Sequence, residues 1–448
     1  MGSIIFLPGI LGSRLKLGAE EVWPPTVGEV VGGYGRIDKL TDPAVTAGLP
    51  IDTVCLKPVY DPLLDDLKVI ASGQAGAPRR TLHSFGYDWR IDLRNVATDI
   101  ANRIDGLPAV DRAEIHFVCH SMGNLIVRLL LETGSFDQRN WFQNVKTLVS
   151  LAGPHRGAPT ALVRALGLEG TLGLAGPDIK KMATDARYPS LYQLLPQPGI
   201  ISAWNVRGSE MNALDIYDRA TATGLGLHAT NLKVAKDTHA ILARNKKPTH
   251  VKYVYLAGTS EDTWIRVNTS VGAPRPVAGK DAGDGTVPLW SAVEPTRLHH
   301  VAPGVHAEVF RHEQIRAVMY RAVGARMPGV SFVSAAGKPL IMLQTGELVY
   351  ASGASVDVML IPSNAFAEIN GELVIEFSND PMSAPFAPFQ RVPLIYKGPQ
   401  VDQIKVRLQR LSRNGFYRVS FEGTHEVDAG GQAIFAISPV GGATGAKQ

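Results

Sequence analysis

The stretch 114–123 limits the fold of this chain more than any other part of its sequence. Residues 114–119 (EIHFVC) are apolar on both faces, which is typical of a short strand buried in a parallel sheet. Residues 122–133 follow with helical spacing, and 145–151 is the next buried strand. This succession of strand, helix and strand predicts an α/β fold with a mostly parallel central sheet.

The same alternation extends over the first part of the chain. We predict one α/β domain at 1–327, interrupted by cap segments at about 19–50 and 155–247. The cap stretch 162–176 is rich in Leu and Gly, and two interpretations are open: it inserts into lipid headgroups, or its leucines pack onto the core. The further predicted strands are 3–7, 81–85, 250–257 and 298–302, and the further helices are 59–70, 93–104 and 313–323.

The character of the sequence changes after the Pro328-Gly329 pair. Helical periodicity stops there, and short β-type runs predict a β-sandwich at 328–440, followed by a flexible tail at 441–448. Asn370-Gly371 and Asn414-Gly415 each predict a hairpin turn. The seven predicted strands are 339–343, 356–361, 372–377, 392–396, 404–411, 416–421 and 432–437.

Charge and cysteine content argue against several classes of protein. Lys plus Arg number 45 and Asp plus Glu number 41, so a net charge of +4 is spread thinly over 448 residues and no nucleic-acid partner is expected. Two cysteines, Cys55 and Cys119, permit no disulfide framework beyond a single bridge. The N-terminus lacks the basic region of a signal peptide, and no run reaches the ~18 apolar residues of a membrane span. We therefore expect a cytoplasmic protein that meets a membrane, if at all, from its surface.

The turn after residues 114–119 carries the strongest chemical signal. It reads Cys119-His120-Ser121-Met122-Gly123, which is the strand-to-helix context of a nucleophile elbow, with Cys119 in place of the usual first glycine. Small residues two positions before and after the serine are needed because this turn is tight. We predict Ser121 as a nucleophile, and the alternative is a serine that only caps the helix.

A serine nucleophile needs a base, and the base needs an acid that orients it. When a nucleophile elbow carries the serine, the acid comes later in the chain and the base later still. Asp284 lies between two glycines after the strand 250–257, so we predict it as the acid, with Asp281 and Asp262 as rivals. The alternative for this segment is a plain Asp-Gly turn.

Four histidines compete for the role of the base. His306 follows the strand-like run 298–302 and a Pro-Gly loop, and it precedes the last helix of the α/β domain, so we predict it as the base. His312 fits better as a structural residue at the start of that helix, and His299 and His300 are the other candidates. Their spacing matches no familiar metal-ligand pattern, so we expect neither a metal nor another cofactor.

The tetrahedral intermediate of acyl transfer requires two N–H donors for its oxyanion. We predict the backbone N–H of Met122, directly after the serine, as one donor. The loop Leu7-Pro8-Gly9-Ile10-Leu11-Gly12 after the first strand offers the other, and its Pro-Gly turn favours the N–H of Ile10. The alternative is that this loop is an apolar turn without a catalytic role.

Eight motifs occur in order along most of residues 3–323: LPGILGSRL near the start, VWPP at 22–25, YDPLLDDL at 60–67, YDWR at 87–90, HSMG at 120–123, SLAGPHRGAP at 150–159, GDGTVP at 283–288 and HAEVF at 306–310. Together they resemble the lecithin:cholesterol acyltransferase family, which includes lysosomal phospholipase A and the phospholipid:diacylglycerol acyltransferases. The resemblance implies an α/β-hydrolase core and lipid acyl esters as substrates. It also implies a catalytic triad of Ser121, Asp284 and His306. The oxyanion hole that it implies is formed by Ile10 and Met122.

We therefore expect a serine hydrolase or acyltransferase that acts on lipid acyl esters through an acyl-serine intermediate, at a membrane surface. Whether water or an alcohol accepts the acyl group is open. A general carboxylesterase or a polyester depolymerase is the alternative among enzymes. A lipid- or partner-binding protein with a silent hydrolase scaffold is the alternative of another class.

The resemblance does not cover 329–448, so the function of the predicted sandwich has to be inferred separately. We expect that it offers a surface for a protein or membrane partner. Phe386 and Phe389 either form an exposed apolar loop on it or fill the interface between the domains.

Overall fold

A computed structural model describes the chain at residues 2–270, 273–294, 296–327, 340–362, 365–409, 411–423, 426–427 and 431–439. The predicted tail at 441–448 and the predicted domain start at 328 lie outside these residues, and both stay predictions. Of the helices in the described ranges, none has both the length and the apolar composition needed to cross a membrane.

Six strands, all parallel to their neighbours, form the central sheet. Every residue of Gly2–Leu7 and Ile115–His120 is buried, as expected for strands covered on both faces. The α/β class predicted from the sequence is therefore confirmed. The order across the sheet is Leu298–Pro303, Lys252–Thr259, Val145–Leu151, Ile115–His120, Gly2–Leu7 and Arg80–Ser84.

Two pairs of helices cover the two faces of this sheet. Leu93–Asp105 and Gly123–Glu132 pack in one apolar cluster, and Asp61–Ser72 and Glu313–Ala322 pack in the cluster on the opposite face. The helix predicted at 59–70 begins at Asp61, because Pro62 is favoured in the first turn of a helix. Three short elements complete this part: Phe142–Asn144, Leu289–Ala292 and His306–Arg311.

Two insertions interrupt the alternation of strand and helix. The first contains the strands Ser13–Leu17, Glu20–Trp23, Thr46–Pro50, Thr53–Val54 and Lys57–Pro58 and the helices Val27–Gly32 and Ile37–Leu40. The second contains the helices Pro159–Ala165, Gly176–Ala183, Ser190–Gln193, Arg219–Leu225 and Ala229–Ala243 and the strands Ala203–Arg207 and Glu210–Leu214.

The Leu- and Gly-rich stretch 162–176 packs onto the rest of the molecule. None of its residues is exposed, and Leu162, Leu166 and Leu174 belong to the main apolar core. Their burial favours packing onto the core, one of the two interpretations considered above, and insertion of the stretch into lipid stays an untested alternative.

Two strands that follow Lys252–Thr259 in the α/β part lie outside every strand and cap segment predicted from the sequence. Glu261–Thr269 and Arg275–Gly283 pair with each other, and the first also pairs with Ala203–Arg207 of the second insertion. Arg275–Gly283 shows no alternation of buried and exposed positions, and its pairing is shifted at two places. A period-2 pattern is the main signal for a strand, so this one could not be found from its sequence.

The C-terminal part is a β-sandwich, as predicted, in which the structure describes nine strands in two sheets. An apolar core that includes Leu360, Leu373, Tyr417 and Phe435 lies between them. One sheet runs Ile404–Leu408, Val356–Pro362, Leu340–Thr345 and Glu426–Val427. The other runs Val349–Ala351, Ala433–Ser438, Gly415–Gly423, Phe366–Ser378 and Ala387–Val401.

Both hairpin predictions for this part are wrong. Asn370-Gly371 lies inside the strand Phe366–Ser378, where a Cβ on Gly371 would come within 2.4 Å of the carbonyl oxygen of Glu422. The glycine is thus needed for close strand approach and not for a turn. Asn414 precedes the strand Gly415–Gly423, but that strand and the preceding one belong to different sheets, so they form no hairpin.

Phe386, directly before the strand Ala387–Val401, and Phe389, inside that strand, have different surroundings. Phe386 is half-buried, packs against the main apolar core and lies under the guanidinium of Arg418. Phe389 is 41% exposed and contacts the rings of Phe377 and Tyr417. Only Phe389 is therefore available to a partner.

Candidate active site

Ser121 occupies a sharp turn between the strand Ile115–His120 and the helix that begins at Gly123. Its φ of 52° lies in the left-handed region, which costs energy for a residue with a side chain. A Cβ on Gly123 would lie 2.6 Å from the carbonyl oxygen of Pro8, so this position requires glycine. Cys119, at the other small position, is fully buried, and burial raises the pKa of its thiol, which keeps it protonated.

A continuous hydrogen-bonded chain links Ser121, His306 and Asp284. The Nε2 of His306 lies 2.9 Å from Oγ of Ser121, and its Nδ1 lies 2.8 Å from Oδ2 of Asp284. Because a carboxylate only accepts hydrogen bonds, Nδ1 carries the proton and Nε2 is left to accept the serine proton.

Asp284 is held as a buried, fully oriented carboxylate. Its side chain is inaccessible to solvent, and its Oδ1 accepts the backbone N–H groups of Thr286 at 3.0 Å and Val287 at 2.7 Å. Its backbone oxygen also accepts the N–H of His306 at 2.8 Å. These bonds fix the acid relative to both the backbone and the ring of the histidine.

The rival candidates lie elsewhere. Asp281 is exposed, and its N–H donates to Asp262. His299 and His300 lie on the strand Leu298–Pro303 and bond to Arg297 and Gln314. His312 caps the last helix, and burial lowers its pKa to about 4. Within the described ranges, no three His, Cys, Asp or Glu side chains are grouped so that they could hold a metal ion.

The predicted oxyanion donors flank the serine. The loop after the first strand passes so close that a Cβ on Gly9 would lie 2.8 Å from Cβ of Ser121. The N–H of Gly9 is engaged by the hydroxyl of Tyr60 at 2.9 Å. In contrast, the N–H groups of Ile10 and Met122 have no hydrogen-bond partner among the residues that the structure describes. They are therefore the amides available to a developing negative charge.

Sequence reasoning missed two residues that support this arrangement. The hydroxyl of Tyr60 lies 2.8 Å from Nδ1 of His120, and Nε2 of His120 lies 2.9 Å from the carbonyl oxygen of His306. Since a carbonyl oxygen only accepts, Nε2 donates, and Nδ1 accepts from Tyr60. Burial, aided by the nearby His306, lowers the pKa of His120 to about 3 and keeps it neutral. The available signals were the position of His120 beside the serine and the motifs YDPLLDDL and HSMG, which begin with Tyr60 and His120.

A deep apolar pocket opens onto Ser121 and His306. Its free volume is about 200 Å³. Its apolar walls suit the aliphatic part of an acyl ester. The apolar lining includes Leu172, Ile179, Met182, Leu191 and Leu194 from the second insertion and Val54 from the first.

The parallel sheet and the elbow define an α/β-hydrolase fold, in which Ser121, His306 and Asp284 form one hydrogen-bonded chain. The sequence profile of the lecithin:cholesterol acyltransferase family matches residues 64–215, which confirms the resemblance predicted from the motifs. No curated protein sequence matches the chain.

Similar solved structures include two lipases. Bacillus licheniformis lipase BlEst2 in mature form is 11% identical, with a TM-score of 0.35 over 72% of this chain and 91% of that chain. The product of the gene lin2722 from Listeria innocua is 10% identical, with a TM-score of 0.34 over 73% and 96%. Aspergillus fumigatus lipase B is 11% identical, with a TM-score of 0.23 over 48% and 41%. The fold assignment rests on the strand order and not on these low scores.

Proposed function

We propose that the protein is a serine hydrolase or acyltransferase of lipid acyl esters. The observation that carries this proposal is the hydrogen-bonded chain from Ser121 through His306 to Asp284, with Ser121 and His306 in the wall of an apolar pocket. A serine that only capped a helix would need neither partner.

In the proposed reaction, Oγ of Ser121 attacks the ester carbonyl carbon while Nε2 of His306 takes its proton. Asp284 stabilises the imidazolium that forms. The N–H groups of Ile10 and Met122 donate to the oxyanion. The intermediate collapses, the leaving alcohol receives the proton from His306, and an acyl-serine ester remains.

The second half of the reaction regenerates the enzyme. Water or an alcohol gives its proton to His306 and attacks the acyl-serine carbonyl, which yields a free acid or a new ester. Ser121 then regains its proton. Every step uses side chains of this protein, so the proposal includes no metal or organic cofactor.

The apolar pocket and the family resemblance support a lipid substrate taken from a membrane surface. An aliphatic chain of a lipid gains about 0.8 kcal/mol for each methylene group that leaves water, and the same gain is already present in a bilayer. Transfer of the chain from a bilayer into the pocket therefore brings little net hydrophobic gain, and we expect the enzyme to bind at the membrane surface to reach its substrate.

Mixed phospholipid vesicles test the proposal. Wild type and Ser121→Ala are incubated with them, with and without an added long-chain alcohol, and mass spectrometry identifies what disappears and what forms. Free fatty acid with lysophospholipid supports hydrolysis, and a new ester of the alcohol supports acyl transfer. In either case we expect Ser121→Ala to form no product.

Other outcomes favour the alternatives. Activity on soluble esters or on a polyester film alone would favour a general carboxylesterase or a polyester depolymerase. Vesicle binding without any Ser121-dependent product would favour a lipid-binding protein with a silent hydrolase scaffold.

A further inference from the structure

A short turn of the C-terminal β-sandwich reaches the pocket that holds Ser121. Residues Gly346, Glu347 and Leu348 connect the strands Leu340–Thr345 and Val349–Ala351, and all three line this pocket. We call them the 346–348 turn. Leu348 is 6% exposed and packs in the apolar core of the α/β part, not in the core of the sandwich.

The polar residue of this turn faces the second insertion. The carboxylate of Glu347 lies 3.5 Å from the guanidinium of Arg164, which also lines the pocket. Arg164 in turn contacts Glu169 at 3.3 Å, and Glu169 accepts the indole N–H of Trp264 at 3.0 Å. Arg164 and Glu347 are half-buried, where an unpaired charge is costly, so these contacts help to hold the turn against the pocket wall.

The strand Leu340–Thr345, which precedes the 346–348 turn, also contacts the loop before His306. The side-chain oxygen of Gln344 accepts the N–H of Val305 at 3.4 Å. The side chain of Val305 lies in an apolar cluster with Met342, Met359 and Ile361 of the sandwich. A domain that only bound a partner would not need these contacts with the loop before His306 and with the substrate pocket.

We infer that the sandwich completes the substrate-binding site: the 346–348 turn forms a subsite for the aliphatic chain of the ester, with Leu348 as its apolar contact. This inference rests on the proposed function. It assigns chain-length selection to a part of the protein outside the α/β fold, where the chemistry itself takes place.

The test compares two buried leucines of the sandwich. Leu348→Ala removes the proposed contact, and Leu373→Ala is the control, because Leu373 is equally buried but lies in the sandwich core away from the pocket. The measured quantity is the ratio of kcat/KM for p-nitrophenyl palmitate to that for p-nitrophenyl butyrate. We expect Leu348→Ala to lower this ratio about tenfold, the scale of a few methylene contacts in an apolar pocket. Leu373→Ala should leave the ratio at the wild-type value.

A second variant covers the case in which Leu348→Ala does not fold. Leu348→Met conserves volume and is well tolerated in a core, and it should change the ratio in the range of two- to fivefold. If either folded variant keeps the wild-type ratio, the inference is overturned, while Ser121-dependent product formation from phospholipid vesicles still supports the proposed function. If wild type hydrolyses neither ester nor any vesicle lipid, both are overturned.

Discussion

The hydroxyl oxygen of Tyr60 lies 2.8 Å from Nδ1 of His120. Through this contact the loop 7–12, which carries the predicted oxyanion donor Ile10, and the loop that carries His306 become one hydrogen-bonded unit. The N–H of Gly9 donates to Tyr60, Tyr60 donates to His120, and His120 donates to the carbonyl oxygen of His306. Each group has one available role in this chain, so the directions of the bonds are fixed.

Removal of the Tyr60 hydroxyl should loosen the active site without unfolding the protein. Tyr60→Phe leaves the N–H of Gly9 and Nδ1 of His120 unpaired, which should cost about 1–3 kcal/mol of stability. We expect kcat to fall about 10- to 100-fold, because small misplacements of oxyanion donors are costly, while KM changes less than about twofold.

A matched tyrosine separates this effect from general destabilisation. Tyr417 is also buried, and its hydroxyl donates to a backbone carbonyl, that of Arg413, within the sandwich. Tyr417→Phe should lower the melting temperature without changing kcat. Equal loss of kcat in both variants would argue against a positioning role for Tyr60.

The choice of the acid can be tested with two asparagine substitutions. Asp284→Asn should lower kcat about 10⁴-fold, because the amide favours the wrong tautomer of His306. Asp281→Asn is the control, since Asp281 is exposed and its φ of 51° is one that Asn tolerates. Steady-state hydrolysis of a soluble ester measures both. Loss of activity in Asp281→Asn with full activity in Asp284→Asn would reverse the assignment.

The elbow should not accept a methyl group at Gly123. A Cβ there would lie 2.6 Å from the oxygen of Pro8 and 2.8 Å from that of Leu7, both backbone atoms that cannot move aside. We expect Gly123→Ala to destabilise the protein by about 1–3 kcal/mol or more. At Gly28 a Cβ would meet nothing within 4 Å, so Gly28→Ala should leave stability unchanged or slightly increased. Thermal unfolding of the two variants is the measurement.

Glu261 should make stability depend on pH. Burial raises its pKa from 4.5 to about 7, despite the ammonium of Lys405 at 3.3 Å. Between these values the folded protein holds a proton that the unfolded chain has released, so this group lowers stability as pH rises through about 4.5 to 7.

Substitution of Glu261 removes this titration. The free energy of unfolding of Glu261→Gln minus that of wild type should increase from pH 4.5 to pH 7 by on the order of 3 kcal/mol. Urea unfolding at several pH values measures it. Glu422→Gln, at a side chain that is 59% exposed, should show no such trend. A flat difference for Glu261→Gln would mean that the carboxylate stays ionised in the folded protein.

The residues of the candidate site were predictable from local sequence because each of them has a local signature. A tight turn requires small residues around Ser121, and Asp284 is marked by the glycines beside it. The contact between Tyr60 and His120 joins residues far apart in the chain, and neither carries a pattern that names the other. The same holds for Leu348, which reaches the pocket only because the sandwich packs against the α/β part.

Predictions from local sequence failed where contacts with other strands determined the structure instead. Asn370-Gly371 has the composition of a turn, but strands pair on both sides of Gly371, and a side chain would not fit between them. The strand Arg275–Gly283 is largely half-exposed on both faces, so it has no period-2 pattern. Both errors concern which strands lie next to each other, and a single segment does not contain that information.

The central claim is that Ser121 is an activated nucleophile, and reaction with an alkyl fluorophosphonate tests it most directly. The serine oxygen forms a bond to phosphorus and fluoride leaves, so tandem mass spectrometry of the digested protein identifies the modified residue. We predict a single adduct on Ser121, loss of ester hydrolysis in proportion to it, and no adduct in Ser121→Ala. An unmodified Ser121 in a protein that has lost its hydrolytic activity, or undiminished hydrolysis by Ser121→Ala, would contradict the account.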